Sequence, residues 1–181
     1  MRVNEIFYSL QGEGFYVGVQ CSFCDTTHQS FTDMSEREIA DVVAQYPAQH
    51  VVITGGEPSL QLTALLIELL HKLDKEVAVE TNGTHILPEN VDWITLSPKD
   101  AFIASPAAKV VLKRCNEMKV VFTGNELPNY DNIACDHYFL QPCDVDDAEQ
   151  NKKIIEATIA YCLQHPKWRL SLQTHKLLGI R

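Results

Sequence analysis

A series of short apolar runs, each closing on a polar tip, constrains the fold of this chain more than any other feature. His50-Val-Val-Ile-Thr54 runs into Gly55-Gly-Glu-Pro58, and Val77-Ala-Val-Glu80 runs into Thr81-Asn-Gly83. Trp93-Ile-Thr-Leu-Ser97 precedes Pro98-Lys99, Met118-Lys-Val-Val-Phe122 follows, and His137-Tyr-Phe-Leu-Gln141 precedes Pro142-Cys-Asp144. Continuous apolar runs of this length mark strands buried on both faces, as in parallel sheets. Helical patterns lie between several of them. Ser35 and Glu38 form a capping box ahead of Ile39, Val42 and Val43, with a stop before Pro47. Leucines from Leu62 to Leu73 recur at helical spacing and are expected to be core, and residues 147 to 164 read as a helix. Alternating strands and helices predict an α/β fold with right-handed crossovers. Thr54, Glu57, Glu80, Asn82, Ser97, Lys99, Gln141, Asp144, Gln173 and His175 fall at or just past strand C-termini, the edge where such sheets bind ligands. The expectation is a single domain over residues 1–181 forming a partial, open (βα)6-type TIM-like barrel with one polar rim.

Two further expected strands flank this series, Val3-Asn-Glu-Ile-Phe-Tyr8 and Arg169-Leu-Ser-Leu-Gln173. No apolar run approaches the roughly 20 residues that span a bilayer, and the start lacks the basic head and apolar block of a secretion signal. A cytoplasmic protein with no membrane partner is expected. Net charge is −9 with a pI near 5.2. No Lys/Arg cluster could build a basic face, which argues against a nucleic-acid partner. The acidic run Asp144-Val-Asp-Asp-Ala-Glu149 suits a helix start.

Cys21-Ser-Phe-Cys24 reads as a turn that puts two thiolates on one side, the usual grip on a soft metal. A closed zinc site or an all-cysteine iron–sulfur cluster wants four ligands, and no third cysteine lies nearby. Cys115, Cys135 and Cys162 read as buried small hydrophobes, as does Cys143, and His175 as a rim histidine with no catalytic step.

Seven stretches in this order carry a resemblance: Ser9-Leu-Gln-Gly-Glu-Gly-Phe15, Cys21-Ser-Phe-Cys-Asp-Thr26, Thr54-Gly-Gly-Glu-Pro58, Glu80-Thr-Asn-Gly83, Ser97-Pro-Lys99, Gln141-Pro-Cys-Asp144 and Gln173-Thr-His-Lys176. The chain resembles the 7-carboxy-7-deazaguanine synthases, radical S-adenosylmethionine (SAM) enzymes, which implies a barrel of the radical SAM type. The resemblance implies a [4Fe-4S] cluster held by a CxxxCxxC pattern, of which Cys21 and Cys24 match the last two cysteines. It implies SAM against Phe23, Cys24, Asp25, Gly56 and Glu57, with Ser97, Pro98, Lys99, Gln141, Pro142, Cys143 and Asp144 holding the rest. Mg2+ is implied at the Thr26 hydroxyl, and a small-molecule pterin substrate at Leu10, Gln11, Gly12, Thr54 and Arg181. The implied reaction takes 6-carboxy-5,6,7,8-tetrahydropterin to 7-carboxy-7-deazaguanine with loss of ammonia. An external one-electron reductant and a homodimer are implied partners.

The chain departs from the family between Gly14 and Cys21, where it reads only Phe15-Tyr-Val-Gly-Val-Gln20. Family members carry there a strand, an arginine for the substrate carboxylate and the first cluster cysteine. The expectation is a disordered loop of about a dozen residues at Gly18–Val19, a length that is either functional or mobile in compact domains, seen as a break in the chain. A true deletion would instead favour a cluster-less homologue without catalysis. A glycyl-radical activase would share the cysteines and the Gly-Gly-Glu-Pro loop, but has no need of Ser9-Leu-Gln-Gly-Glu-Gly14 or Thr26.

Overall fold

A computed structural model describes residues 1–26, 30–100, 102–103 and 105–180. Its frame is one sheet of nine strands in the order β3-β1-β2-β4-β5-β6-β7-β8-β9. The strands are β1 (Arg2–Leu10), β2 (Gln20–Thr26), β3 (Thr32–Asp33), β4 (His50–Gly55), β5 (Glu76–Thr81), β6 (Trp93–Leu96), β7 (Arg114–Phe122), β8 (Ala134–Pro142) and β9 (Trp168–Leu170). From β2 through β9 every neighbouring pair is parallel, whereas β1 runs antiparallel to both β2 and β3. The sheet therefore opens as expected, with its two edges formed by β3 and β9.

Among the described residues four α-helices accompany it: α1 (Glu36–Val43), α2 (Ala64–His71), α3 (Ala148–Gln164) and α4 (Thr174–Leu178). The Ser35–Glu38 capping box starts α1 as the sequence indicated, and Asp147 caps α3 through the Gln150 amide. Ile39, Val43, Leu66, Ile67 and Leu70 bury their side chains against Val51, Ile53, Val77, Val79, Leu96 and Met118, forming the main core on one face of the sheet. Leu65 and Leu73 point outward, so the leucine stripe is core along only part of its length. The crossovers from β5 to β6, β6 to β7 and β7 to β8 carry no α-helix among the described residues, which leaves fewer helical repeats than the expected six. The expected last strand is shorter than its alternation suggested, because Thr174 already begins α4.

Two further differences concern the opening. The chain is continuous through Gly18–Val19, so the expected break is corrected. The Gly18 amide donates to the Gln11 carbonyl (2.7 Å), Val19 to Tyr16 (2.9 Å), and Gln11 back to Val19 (2.8 Å). The expected cysteine turn is corrected as well, since Cys21–Cys24 lies inside β2. The connection passes beneath the inner face of the sheet. Phe15 stacks on His137 with centroids 4.4 Å apart, and Tyr16 packs on His50 at 4.2 Å and on Trp93 at 4.8 Å.

Candidate active site

The residue alternation that buries one side chain in the helix-side core sends the next to the inner face. Towards their C-terminal ends the strands devote that inner face to polar groups. Thr54, Glu80, Ser97, Lys119 and Gln141, from five neighbouring strands or their ends, enclose a cavity of about 330 Å3 together with Glu13, Lys99 and Gln173. Of the residues expected for SAM or substrate, Thr54, Gly56, Glu57, Ser97, Lys99 and Gln141 meet there. Pro98 is buried in the segment between Ser97 and Lys99.

Lys119 is the cation at the centre. Its ammonium pairs with Glu13 and lies 3.6 Å from Glu80. Burial opposes its charge, but Glu80 and Glu13 outweigh burial and hold the pKa above the ordinary lysine range. Burial likewise opposes the Glu13 carboxylate, yet Lys119 and the Gln173 amide, 3.1 Å away, leave its pKa lowered. A buried pair of this kind is costly to break from one side, because the remaining charge has no water. Lys99 differs. Burial, then repulsion from Lys119, lowers its pKa, and its ammonium donates to the Ser97 hydroxyl at 3.0 Å. Among the described residues it makes no ion pair, and its charge faces the cavity with Glu13 and Glu80 offsetting burial only in part.

One pleat below Lys119, burial pushes the Glu117 carboxyl up to about 7. Its Oε2 accepts the Phe15 amide at 3.1 Å. A Cβ on Gly14 would stand 2.0 Å from Glu117 Oε1, and Gly14 has φ +68°, so only glycine suits this position. Glu57 is mostly spent on structure. Its carboxylate accepts the Ser59 amide (3.1 Å), the Thr81 hydroxyl (2.6 Å) and the Asn82 amide (2.8 Å), which ties the Gly-Gly-Glu-Pro loop to the Thr-Asn-Gly turn. Gln141 Oε1 is a buried acceptor with no partner among the described residues, and it belongs to the cavity wall. Such an acceptor is costly unless an N–H or O–H from a ligand or water reaches it.

The remaining expected site residues lie around this cavity. Pro142, Cys143 and Asp144 line a second one of about 240 Å3, continuous in sequence with Gln141 and sharing Gln173 with the first. Cys143 is half-buried there, so its reading as core is corrected. Asp144 accepts from Lys176 (3.0 Å) and Asn151 (2.7 Å). Leu10, Gln11, Gly12 and Phe23 line a third cavity of about 190 Å3, which shares Glu13 and Glu80 with the first. Thr174 donates its amide (3.0 Å) and its hydroxyl (2.7 Å) to the Gly12 carbonyl, fastening the opening loop to α4. Arg181 lies outside the described residues.

Sequence reasoning missed Glu13, Lys119 and Glu117. A signal was present: Glu117 and Lys119 alternate with Met118 and Val120, which are fully buried. Charged residues at every second position of an otherwise buried strand are affordable only where a polar cavity or a partner receives them.

The cysteines stand apart from this arrangement. Cys21 packs with Phe23, Val52, Ala78, Phe7 and Trp93 on the inner face, and Cys24 packs with Val3, Ile39 and Val43 in the helix-side core. Burial raises both thiols to a pKa of about 12. Asp25 accepts from Asn4 at 3.1 Å, and the buried Thr26 hydroxyl donates to the Thr54 carbonyl at 2.9 Å. Cys115 and Cys135 face one another in register across β7 and β8.

Residues 18–116 match the family model of the radical SAM superfamily. A 7-carboxy-7-deazaguanine synthase from Bacteroides thetaiotaomicron is 44% identical over 192 residues, covering 99% of this chain and 98% of the relative. The synthase from Bradyrhizobium diazoefficiens is 38% identical over 216 residues, with the same coverage. The chain belongs to the 7-carboxy-7-deazaguanine synthase family. The crystal structure of QueE from Escherichia coli superposes with a TM-score of 0.71 at 26% identity, covering 96% of this chain and 94% of that one. Both sequence alignments are longer than the 181 residues of this chain, so these synthases carry residues that it lacks.

Membership of this family of radical SAM lyases implies a [4Fe-4S] cluster and SAM. The polar cavity fits the second: the Gln141 oxygen, without a partner among the described residues, and Lys99, which makes no ion pair there, match the hydroxyl, amino and carboxylate groups of such a molecule. The cluster does not fit. Its two motif thiols lie on opposite faces of one strand, and among the described residues no group of three His, Cys, Asp or Glu side chains could hold a metal.

Proposed function

We propose that the inner-face cavity binds 6-carboxy-5,6,7,8-tetrahydropterin together with SAM, in the service of the family's conversion of that pterin to 7-carboxy-7-deazaguanine with release of ammonia. The observation that carries this reading is the meeting, in one cavity, of a cation that makes no ion pair among the described residues with the acceptors Glu80 and Gln141. Lys99 would receive a carboxylate. Glu80 and the Gln141 oxygen would accept the N–H edge of the heterocycle, and Gln11, which donates to Glu80 at 3.2 Å, would orient that carboxylate. Lys119 is a positioning residue. Its charge lowers the Glu13 pKa and stands 3.6 Å from the Glu80 carboxylate, fixing both acceptors in place, and Phe15, Tyr16 and Trp93 pack on one another along the connection behind them.

The finer assignments belong to the same reading. SAM would reach from the Gly56–Glu57 loop past Ser97 towards Gln141–Asp144, and Thr26 would offer Mg2+ its hydroxyl beside the Thr54 carbonyl, the oxygen chemistry that ion takes. The family reaction also draws on an external one-electron reductant. A homodimer is supported by the exposed Leu172, Leu177 and Leu178 near the C-terminus, and light scattering giving twice the 20.4 kDa chain mass would establish it. No helix among the described residues is long and apolar enough to cross a membrane.

Calorimetric titration with 6-carboxypterin, a stable stand-in for the reduced substrate, tests the cavity assignment. The expected result is binding at least tenfold tighter than that of pterin without the carboxylate, a difference of about 1.4 kcal/mol. Equal affinity for the two would remove Lys99 as the carboxylate partner and the reading with it.

A further inference from the structure

We infer that Cys21 and Cys24 act in this chain as packed strand residues, held away from cluster ligation by the short connection that precedes them. This inference rests on the family reading for what the two cysteines do in the relatives, and it limits that reading here to binding in the cavity, since the family's conversion draws on the cluster. Side chains alternate along a strand, so two positions three apart point to opposite faces. Cys21 accordingly sits with Phe23 and Trp93 inside, while Cys24 sits with Ile39 and Val43 beneath α1. Their exposures are 0% and 1%, which leaves no edge of either sulfur for a metal.

Bringing both sulfurs to one iron requires β2 to leave the sheet, and both of its edges are occupied. On one side it pairs with β1 from Leu10↔Gln20 to Val3↔Thr26, and on the other with β4 from Cys21↔His50 to Thr26↔Gly55. The connection explains why. Residues 11 to 19 turn back on themselves through the Gln11–Val19 and Gly18–Gln11 hydrogen bonds, so Cys21 can fall only opposite Ser9. The loop length thereby sets the register, as in any hairpin. Residue chemistry agrees. Ser22, on the same face as Cys24, is completely buried and its hydroxyl has no partner among the described residues. A buried hydroxyl without a partner is an exception that calls for an explanation, and a strand held in place by both neighbours supplies one.

The test is anaerobic reconstitution of the full chain with iron and sulfide, followed by iron counting and absorbance near 400 nm. Alongside, 6-carboxypterin titrations use protein before and after that treatment. The expected result is well under one iron per chain and no 400 nm band. Thermal unfolding should be unaffected by reconstitution. About four irons per chain, lost in both Cys21→Ala and Cys24→Ala, would overturn the inference. Iron uptake that survives both substitutions would be adventitious, and the inference would stand. Pterin binding reports separately: its absence in protein that takes up no iron refutes the proposed function while leaving the cysteine assignment intact.

Discussion

Replacing Glu117 with glutamine isolates the cost of burying a carboxylate beside the cavity. Burial raises this carboxyl from 4.5 to about 7 in the folded chain, with the Phe15 amide and Lys119 opposing the shift only in part. A group whose folded pKa is raised binds its proton more tightly when folded. Its contribution is therefore most favourable below the unfolded pKa and is lost as pH rises through the folded value. The relevant window runs from about pH 4.5 to 7. At 1.36 kcal/mol per pKa unit, the loss across that window is about 3 kcal/mol. Glutamine keeps an oxygen for the Phe15 amide and has no proton to lose. Glu117→Gln should thus be more stable than the parent at pH 8, by up to about 3 kcal/mol, with the advantage shrinking towards zero by pH 5. Urea unfolding at pH 5, 6.5 and 8, with m-values compared to verify that the unfolded states match, measures this directly. A variant equally stabilised at all three pH values, or destabilised at pH 8, would refute the burial argument.

Three other outcomes are expected. Lys119→Met should destabilise the fold by about 3–5 kcal/mol at pH 8, because the largely buried Glu13 carboxylate would lose its cation; urea unfolding would show it, and the deficit should lessen as acid protonates that carboxylate. Lys99→Gln should weaken 6-carboxypterin binding by roughly 10- to 100-fold, the range of a lost charged hydrogen bond, while leaving the affinity for unsubstituted pterin nearly unchanged in the same titration. Ser22→Ala should raise stability by about 1 kcal/mol, since it removes a buried hydroxyl that has no partner; no change in urea midpoint would argue that β2 is not held in the sheet.

How much could be read in the chain beforehand follows from the range of the interactions involved. Capping of α1 by Ser35 and Glu38 is a contact across three residues, and its sequence signature suffices. The strands His50–Gly55 and Glu76–Thr81 are legible because both faces are buried, which demands an unbroken apolar run whatever their partners. The same logic located the rim, and six of the expected binding residues meet in one cavity. The charges within β7 were passed over, because whether Lys119 is a surface lysine or a buried cation depends on Glu13 and Glu80, which lie 106 and 39 positions away in the chain.

The amino-acid sequence by itself determined the α/β alternation, the polar strand ends and the family, since these rest on local composition and on motifs that keep their order. Only the tertiary structure decided the fate of Cys21 and Cys24. A Cys-x-x-Cys spacing is compatible with a turn that joins two thiols and with a strand that separates them. The choice falls to the neighbours on either side: β1 and β4 hydrogen-bond both edges of this segment, and the nine-residue connection of residues 11–19 sets its register against β1. Backbone pairing across a sheet is a long-range commitment, and here it outweighs the local preference of a metal-binding motif.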